Sequence, residues 1–107
     1  FIHVKDCASV NFWFYKNKES SGIFNVGTGV ARSFDDVAEL VCAWHRKFGV
    51  KNAQVTSQPF PEKLKGAYQS YTQADLNKLS SAGYCDGFMS LEVGINQYLN
   101  ALNKYRY

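Results

Sequence analysis

Ile23-Phe24-Asn25-Val26-Gly27-Thr28-Gly29 is followed four residues on by Ser33-Phe34-Asp35-Asp36. Ile23 to Val26 is rich in β-branched and aromatic residues and is bounded by Gly22 and Gly27, so a short strand is expected there. Gly27-Thr28-Gly29 reads as a tight turn, since two glycines give the backbone freedom that other residues lack. Ser33 to Asp36 forms a capping box with aspartate in the reciprocating position. The helix it opens carries Val37, Leu40, Val41, Trp44 and Phe48 at i, i+3, i+4, i+7 and i+11, and Gly49 ends it. Strand, glycine turn and capped helix in that order predict a mixed α/β fold.

The flanks extend the pattern. Upstream, Phe1 to Val4 reads as a strand, and Asp6 offers a carboxylate to cap a helix from about Cys7 to Asn17. Its stripe of Ala8, Val10, Trp13 and Phe14 faces inward. Downstream, Ala53 to Ser57 alternates weakly as a third strand. Pro59 and Pro61 then force an extended path, and Glu62 to Tyr71 is expected to be irregular. Thr72-Gln73-Ala74-Asp75 reads as a second capping box, opening a short helix through Leu76 and Leu79 that Gly83 closes. Ser90 caps the last helix, with Leu91, Ile95, Tyr98, Leu99 and Leu102 on one face. The expected layout is a few short strands with about four helices. There are no internal repeats.

The chain has 107 residues, which is one domain at most. A 16% aromatic content argues against disorder, and no apolar run approaches the ~20 residues of a membrane span. The net charge of +3 is scattered, without the basic stripe that signals nucleic-acid binding. Cys7, Cys42 and Cys85 form no C-x-x-C, so neither a zinc ribbon nor a redox pair is encoded, and a reducing cytoplasm fits them. A chain opening on Phe1 in the middle of a strand is expected to be a piece of something longer. Trp13, Phe14 and the first strand are then expected to expose apolar surface that the remainder covers.

No catalytic couple stands out. Gly27-Thr28-Gly29 begins like a dinucleotide fingerprint, but Arg32 occupies the third glycine position and Asp35 and Asp36 oppose a phosphate at the helix start. No Tyr-x-x-x-Lys pair occurs. His3 and His45 lack partners at metal-ligand spacing. Phe60-Pro61-Glu62-Lys63-Leu64-Lys65-Gly66-Ala67-Tyr68-Gln69 is the exception. Lys63 and Lys65 supply positive charge, Gly66 permits close backbone approach, and Tyr68 can stack or hydrogen-bond. Such a set suits an anionic, ring-bearing ligand such as a nucleotide-sugar, or else a solvated loop with its tyrosine packed on the core.

These segments, in this order, resemble the C-terminal part of the extended short-chain dehydrogenase/reductase family. Phe1-Ile2-His3-Val4-Lys5-Asp6, Ile23 to Gly29 and Ser33-Phe34 carry the general likeness. Pro59 to Leu76, Ala82-Gly83-Tyr84 and the final helix are similar to the ADP-heptose epimerases within it. The resemblance covers essentially the whole chain and about the last third of such an enzyme. It implies that residues 1–107 are the substrate-binding lobe, with the NADP-binding Rossmann domain absent from this chain. It implies an NADP cofactor held by that missing domain, an ADP-sugar substrate, a cytoplasmic homo-oligomeric enzyme, and no nucleic-acid or membrane partner. Catalytic, cofactor-binding and metal-binding residues are expected to be absent here. Tyr68 matches a family substrate contact, and Lys63 and Lys65 are placed near the diphosphate by analogy. Ala67 departs from the arginine usual before that tyrosine. Another sugar-nucleotide epimerase, dehydratase or reductase, and a free-standing non-catalytic binding module, remain alternatives.

Overall fold

The computed structural model describes residues 1–105. Four helices are present, α1 (Val4–Lys16), α2 (Phe34–Lys47), α3 (Asn77–Ser81) and α4 (Leu91–Lys104), with one 3-10 turn at Glu62–Leu64. Among the described residues there is no strand and no sheet, which corrects the expected α/β fold with a few short strands.

The reason lies in pairing. Ile23 to Val26 has the alternation of a strand, with Ile23 and Asn25 exposed and Phe24 and Val26 turned to the core. A strand also needs a neighbour about 4.8 Å away to complete its backbone hydrogen bonds. Residues 21–27 make no backbone–backbone hydrogen bond with any described residue. Ala53 to Ser57 likewise takes no regular structure: Ala53 N makes a turn bond to Val50 O at 3.2 Å and Ala53 O accepts from Arg46 Nε at 2.7 Å, so neither group pairs with a strand. At the start of the chain, Val4 belongs to α1 instead of a strand, because His3 caps the helix. Its backbone is extended and its Nδ1 accepts a hydrogen bond from Lys5 N at 3.2 Å.

Asp6, expected as that cap, is 7% exposed and accepts a bond from Met89 N at 2.8 Å, tying α1 to the segment before α4. The second capping box is also absent. Thr72 Oγ1 donates to Gln69, and α3 begins only at Asn77, whose N–H is taken by Asp75 Oδ1 at 2.9 Å. The Ser33–Asp36 box and the Ser90 cap both form, and Gly49 and Gly83 take the positive φ values that end α2 and α3.

Two packed groups result. Val10, Leu79 and Tyr84 form the central cluster, with Trp13, Phe14 and Phe24 packed against it. Trp13 and Phe14 are therefore half-buried, and the large exposed apolar residues of α1 are Val4, Phe12 and Tyr15 instead; Ala8, expected on the inward stripe, is exposed as well. The second group is α2 against α4, pinned by buried Trp44, whose Nε1 donates to Asn100 Oδ1 at 2.9 Å. His3, resting on Gly94 of α4, and the Asp6–Met89 bond connect the two groups. No helix among the described residues is long and apolar enough to cross a membrane.

Candidate functional site

The turn after Val26 is shaped by close packing. Gly27 is buried, and a Cβ added there would lie 2.8 Å from the Cβ of Ala74. Gly29 has φ +75°, and its carbonyl accepts a bond from Gln73 Nε2 at 2.7 Å. The turn is thus filled by the 73–76 segment, and the Asp36 carboxylate occupies the following helix start by accepting from Ser33 N at 2.9 Å. Neither feature leaves room or charge for a pyrophosphate, so these residues do not fit a dinucleotide cofactor.

Gln73 anchors the irregular segment beyond it. Tyr71 Oη donates to Gln73 Oε1 at 2.5 Å, so the bond to Gly29 is the first link of a short relay. From that anchor, the stretch from Phe60 to Thr72 stands off the body and walls a cleft of about 900 Å³. Phe1, Arg32, Ser33 and Phe34 make the opposite wall. Each wall carries an edge-on aromatic pair. Phe1 and Phe34 lie 5.4 Å apart at 82°, and Phe60 and Tyr68 lie 5.4 Å apart at 62°. Such pairs present both ring faces and polarised edges to whatever enters between them.

Of the residues expected at a site, Tyr68 and Lys65 line this cleft and Lys63 does not. Tyr68 is half-exposed, and its hydroxyl has no protein partner among the described residues. Lys65 is held by the Glu62 carboxylate in an exposed pair, an arrangement that water screens and a competing anion can open at small cost. Gly66, with φ +84° and open space where a Cβ would stand, supplies the turn between Lys65 and Tyr68.

Arg32 is the residue that sequence reading missed. In the sequence it stands out only as a departure from a glycine pattern, whereas it forms part of the cleft wall. Its Nε meets Asp36 Oδ2 at 3.2 Å and its Nη2 meets Glu92 Oε1 at 2.7 Å. Hydrogen bonds donated to Glu92, and then to Asp36, hold the guanidinium pKa above its ordinary value. In return, Arg32 holds the Glu92 carboxyl below the usual range. Asp36 is lowered first by the Ser33 backbone N–H and then by Arg32. The i, i+4 spacing of Arg32 and Asp36 is visible in the sequence, but Glu92 is sixty residues away and its part is not.

His3 is engaged as a helix cap, and His45 packs edge-on to Trp44. Among the described residues no group of three or more His, Cys, Asp or Glu comes together to hold a metal ion. A second, more apolar cleft of about 310 Å³ lies between the start of α1, Val37 and α4, with Met89, Ile95 and Tyr98 in its walls. No protein-family model matches the chain.

Proposed function

We propose that this chain is the substrate-binding portion of an ADP-L-glycero-D-manno-heptose 6-epimerase, a sugar-nucleotide isomerase serving lipopolysaccharide inner-core synthesis in the cytoplasm. The observation that carries the reading is the cleft between Phe1–Phe34 and Phe60–Tyr68. It combines two aromatic walls, the free Tyr68 hydroxyl and two cations in a volume suited to a nucleotide-sugar. Aromatic faces suit the base, guanidinium and ammonium groups suit the diphosphate, and a tyrosine hydroxyl suits the sugar or a phosphate oxygen.

The reaction belongs to NADP, which inverts C6 by transient oxidation and re-reduction from the opposite face. The Gly27–Gly29 turn does not fit that cofactor, and on this reading it is held by a nucleotide-binding domain outside the chain. The part played by these residues is to bind and orient the ADP-sugar. The full enzyme is proposed to be a homo-oligomer.

Calorimetric titration tests the assignment. The chain is expected to bind ADP-D-glycero-D-manno-heptose more tightly than UDP- or GDP-sugars, and to show no affinity for NADP. Tyr68→Phe keeps the ring and removes one hydrogen bond, so it should weaken the ADP-sugar by about tenfold. Equal affinities for Tyr68→Phe and the parent chain, or tight NADP binding, would sink the assignment. The reading frame upstream of Phe1 offers a second check, since G-x-x-G-x-x-G and Tyr-x-x-x-Lys are expected in it.

A further inference from the structure

Arg32 differs from the other cation of the cleft in how it is held. Its side chain is 28% exposed, against 59% for that of Lys65. Two of its nitrogens are fixed by carboxylates on different elements, Asp36 in α2 and Glu92 in α4. Nη1 has no protein partner among the described residues and retains two N–H donors. A planar fork immobilised on one side and free on the other is pre-organised to meet an oxyanion, because little side-chain entropy is then lost. Neither Asp36 nor Glu92 lines the cleft, so both carboxylates act on a bound anion from behind the guanidinium.

We infer that Arg32 is the anion anchor of the cleft, gripping a phosphate or diphosphate through Nη1, and that Glu92 restrains its affinity. This rests on reading the cleft as a nucleotide-sugar site. One cation facing two carboxylates is over-compensated, and the surplus negative charge repels an incoming diphosphate. Glu92 serves as the counter-ion when the cleft is empty. It also joins the cleft wall to α4, so occupancy is felt at the α2–α4 contact. Removing that carboxylate therefore has opposite consequences under two roles for Arg32. If Arg32 binds the anion, Glu92→Gln strengthens binding. If Arg32 is only a staple between helices, Glu92→Gln loosens the wall and binding stays the same or weakens.

The probes are inorganic pyrophosphate and ADP, titrated into the full chain at fixed low salt and followed by NMR shifts, with circular dichroism confirming the helices. Arg32→Gln is expected to weaken both probes about tenfold or more, as loss of a charge-assisted contact implies. Glu92→Gln is expected to tighten both by about three- to tenfold, the scale of one unscreened like charge a few ångströms farther off. Added salt should shrink the gain. ADP and pyrophosphate affinities unchanged in Arg32→Gln, or unchanged or lowered in Glu92→Gln, overturn the inference. If Arg32→Gln does not fold, the sign of the Glu92→Gln effect decides alone. Arg32-dependent pyrophosphate binding with ADP bound no better upholds the anchor and overturns the nucleotide-sugar reading instead.

Discussion

Single atoms decide how the turn at Gly27 is built. The residue is not in the left-handed region; what excludes a side chain is Ala74, whose Cβ would be 2.8 Å from an added methyl. Gly27→Ala should cost about 1–3 kcal/mol, as overpacking of a close contact does. Ala74→Gly removes the opposing methyl, so the double variant should recover most of that loss beyond the small entropic cost of a new glycine. Urea denaturation of the four proteins measures the coupling. Additive effects would show that the two positions do not touch. Asp6 offers a different test. Its carboxylate satisfies the Met89 N–H, so Asp6→Ala leaves a half-buried donor without a partner and should cost about 1–3 kcal/mol. Asp6→Asn keeps an acceptor oxygen and should cost less in the same melts.

Helices announce themselves locally, and this chain shows why that makes them legible. Ser33, Asp36, Gly49 and Ser90 act within four residues of the groups they satisfy, so their roles can be read from the neighbouring residues alone. Asp6 and Thr72 have the same chemistry but meet different partners, and a carboxylate engaged 83 residues away leaves no local trace. The three β-type runs form no strands for a related reason. Alternation tells which way side chains face, and Phe24 and Val26 do turn inward, but pairing depends on a second segment the pattern does not name. At the site, Tyr68 and Lys65 are legible because charge, glycine and aromatic sit within a few residues. Arg32 needs Glu92, which only folding brings near. The capping box of α2 also carries a pH dependence. The Asp36 carboxyl is held below its ordinary pKa, so its stabilising effect is present above about pH 4, the unfolded value, and is lost as pH falls through the lower folded value. Melting temperatures of the parent and Asp36→Asn should therefore differ at pH 6 and converge as pH drops below about 4. A constant gap across that range would remove the carboxylate from the explanation. In α4, Gly94→Ala should act the other way. The added Cβ meets His3 Cβ at 3.5 Å, an ordinary contact, and alanine favours a helix interior by about 1 kcal/mol. A raised melting temperature is expected; a lowered one would mean that α4 and His3 lie closer in solution than the 3.5 Å an added Cβ would have.

At the scale of the molecule, surface outweighs interior. The chain exposes 8590 Å², whereas a compact protein of its mass exposes roughly 6,000 Å². Its radius of gyration is 17.3 Å, against about 13 Å for a compact chain of this length. Only Val10, Trp44, Leu79 and Tyr84 are buried apolar side chains among the described residues, while Phe12, Tyr15, Ile23 and Phe34 are all more than half exposed. The excess, about 2,500 Å², is as large as one side of an extensive obligate interface. That balance fits the proposal that these residues work within a larger enzyme, and it sets the behaviour of the chain by itself. Unfolding it exposes less new surface than unfolding a compact domain, so the urea m-value should fall at or below about 1 kcal/mol/M, the low end for small proteins. Before it unfolds, the chain should bind a hydrophobic dye and gain mass with concentration in sedimentation, since apolar patches of this extent seldom stay open in water. A monomer at high concentration with no dye signal and a steep urea transition would mean that in solution the chain closes on itself and buries the faces that stand open here.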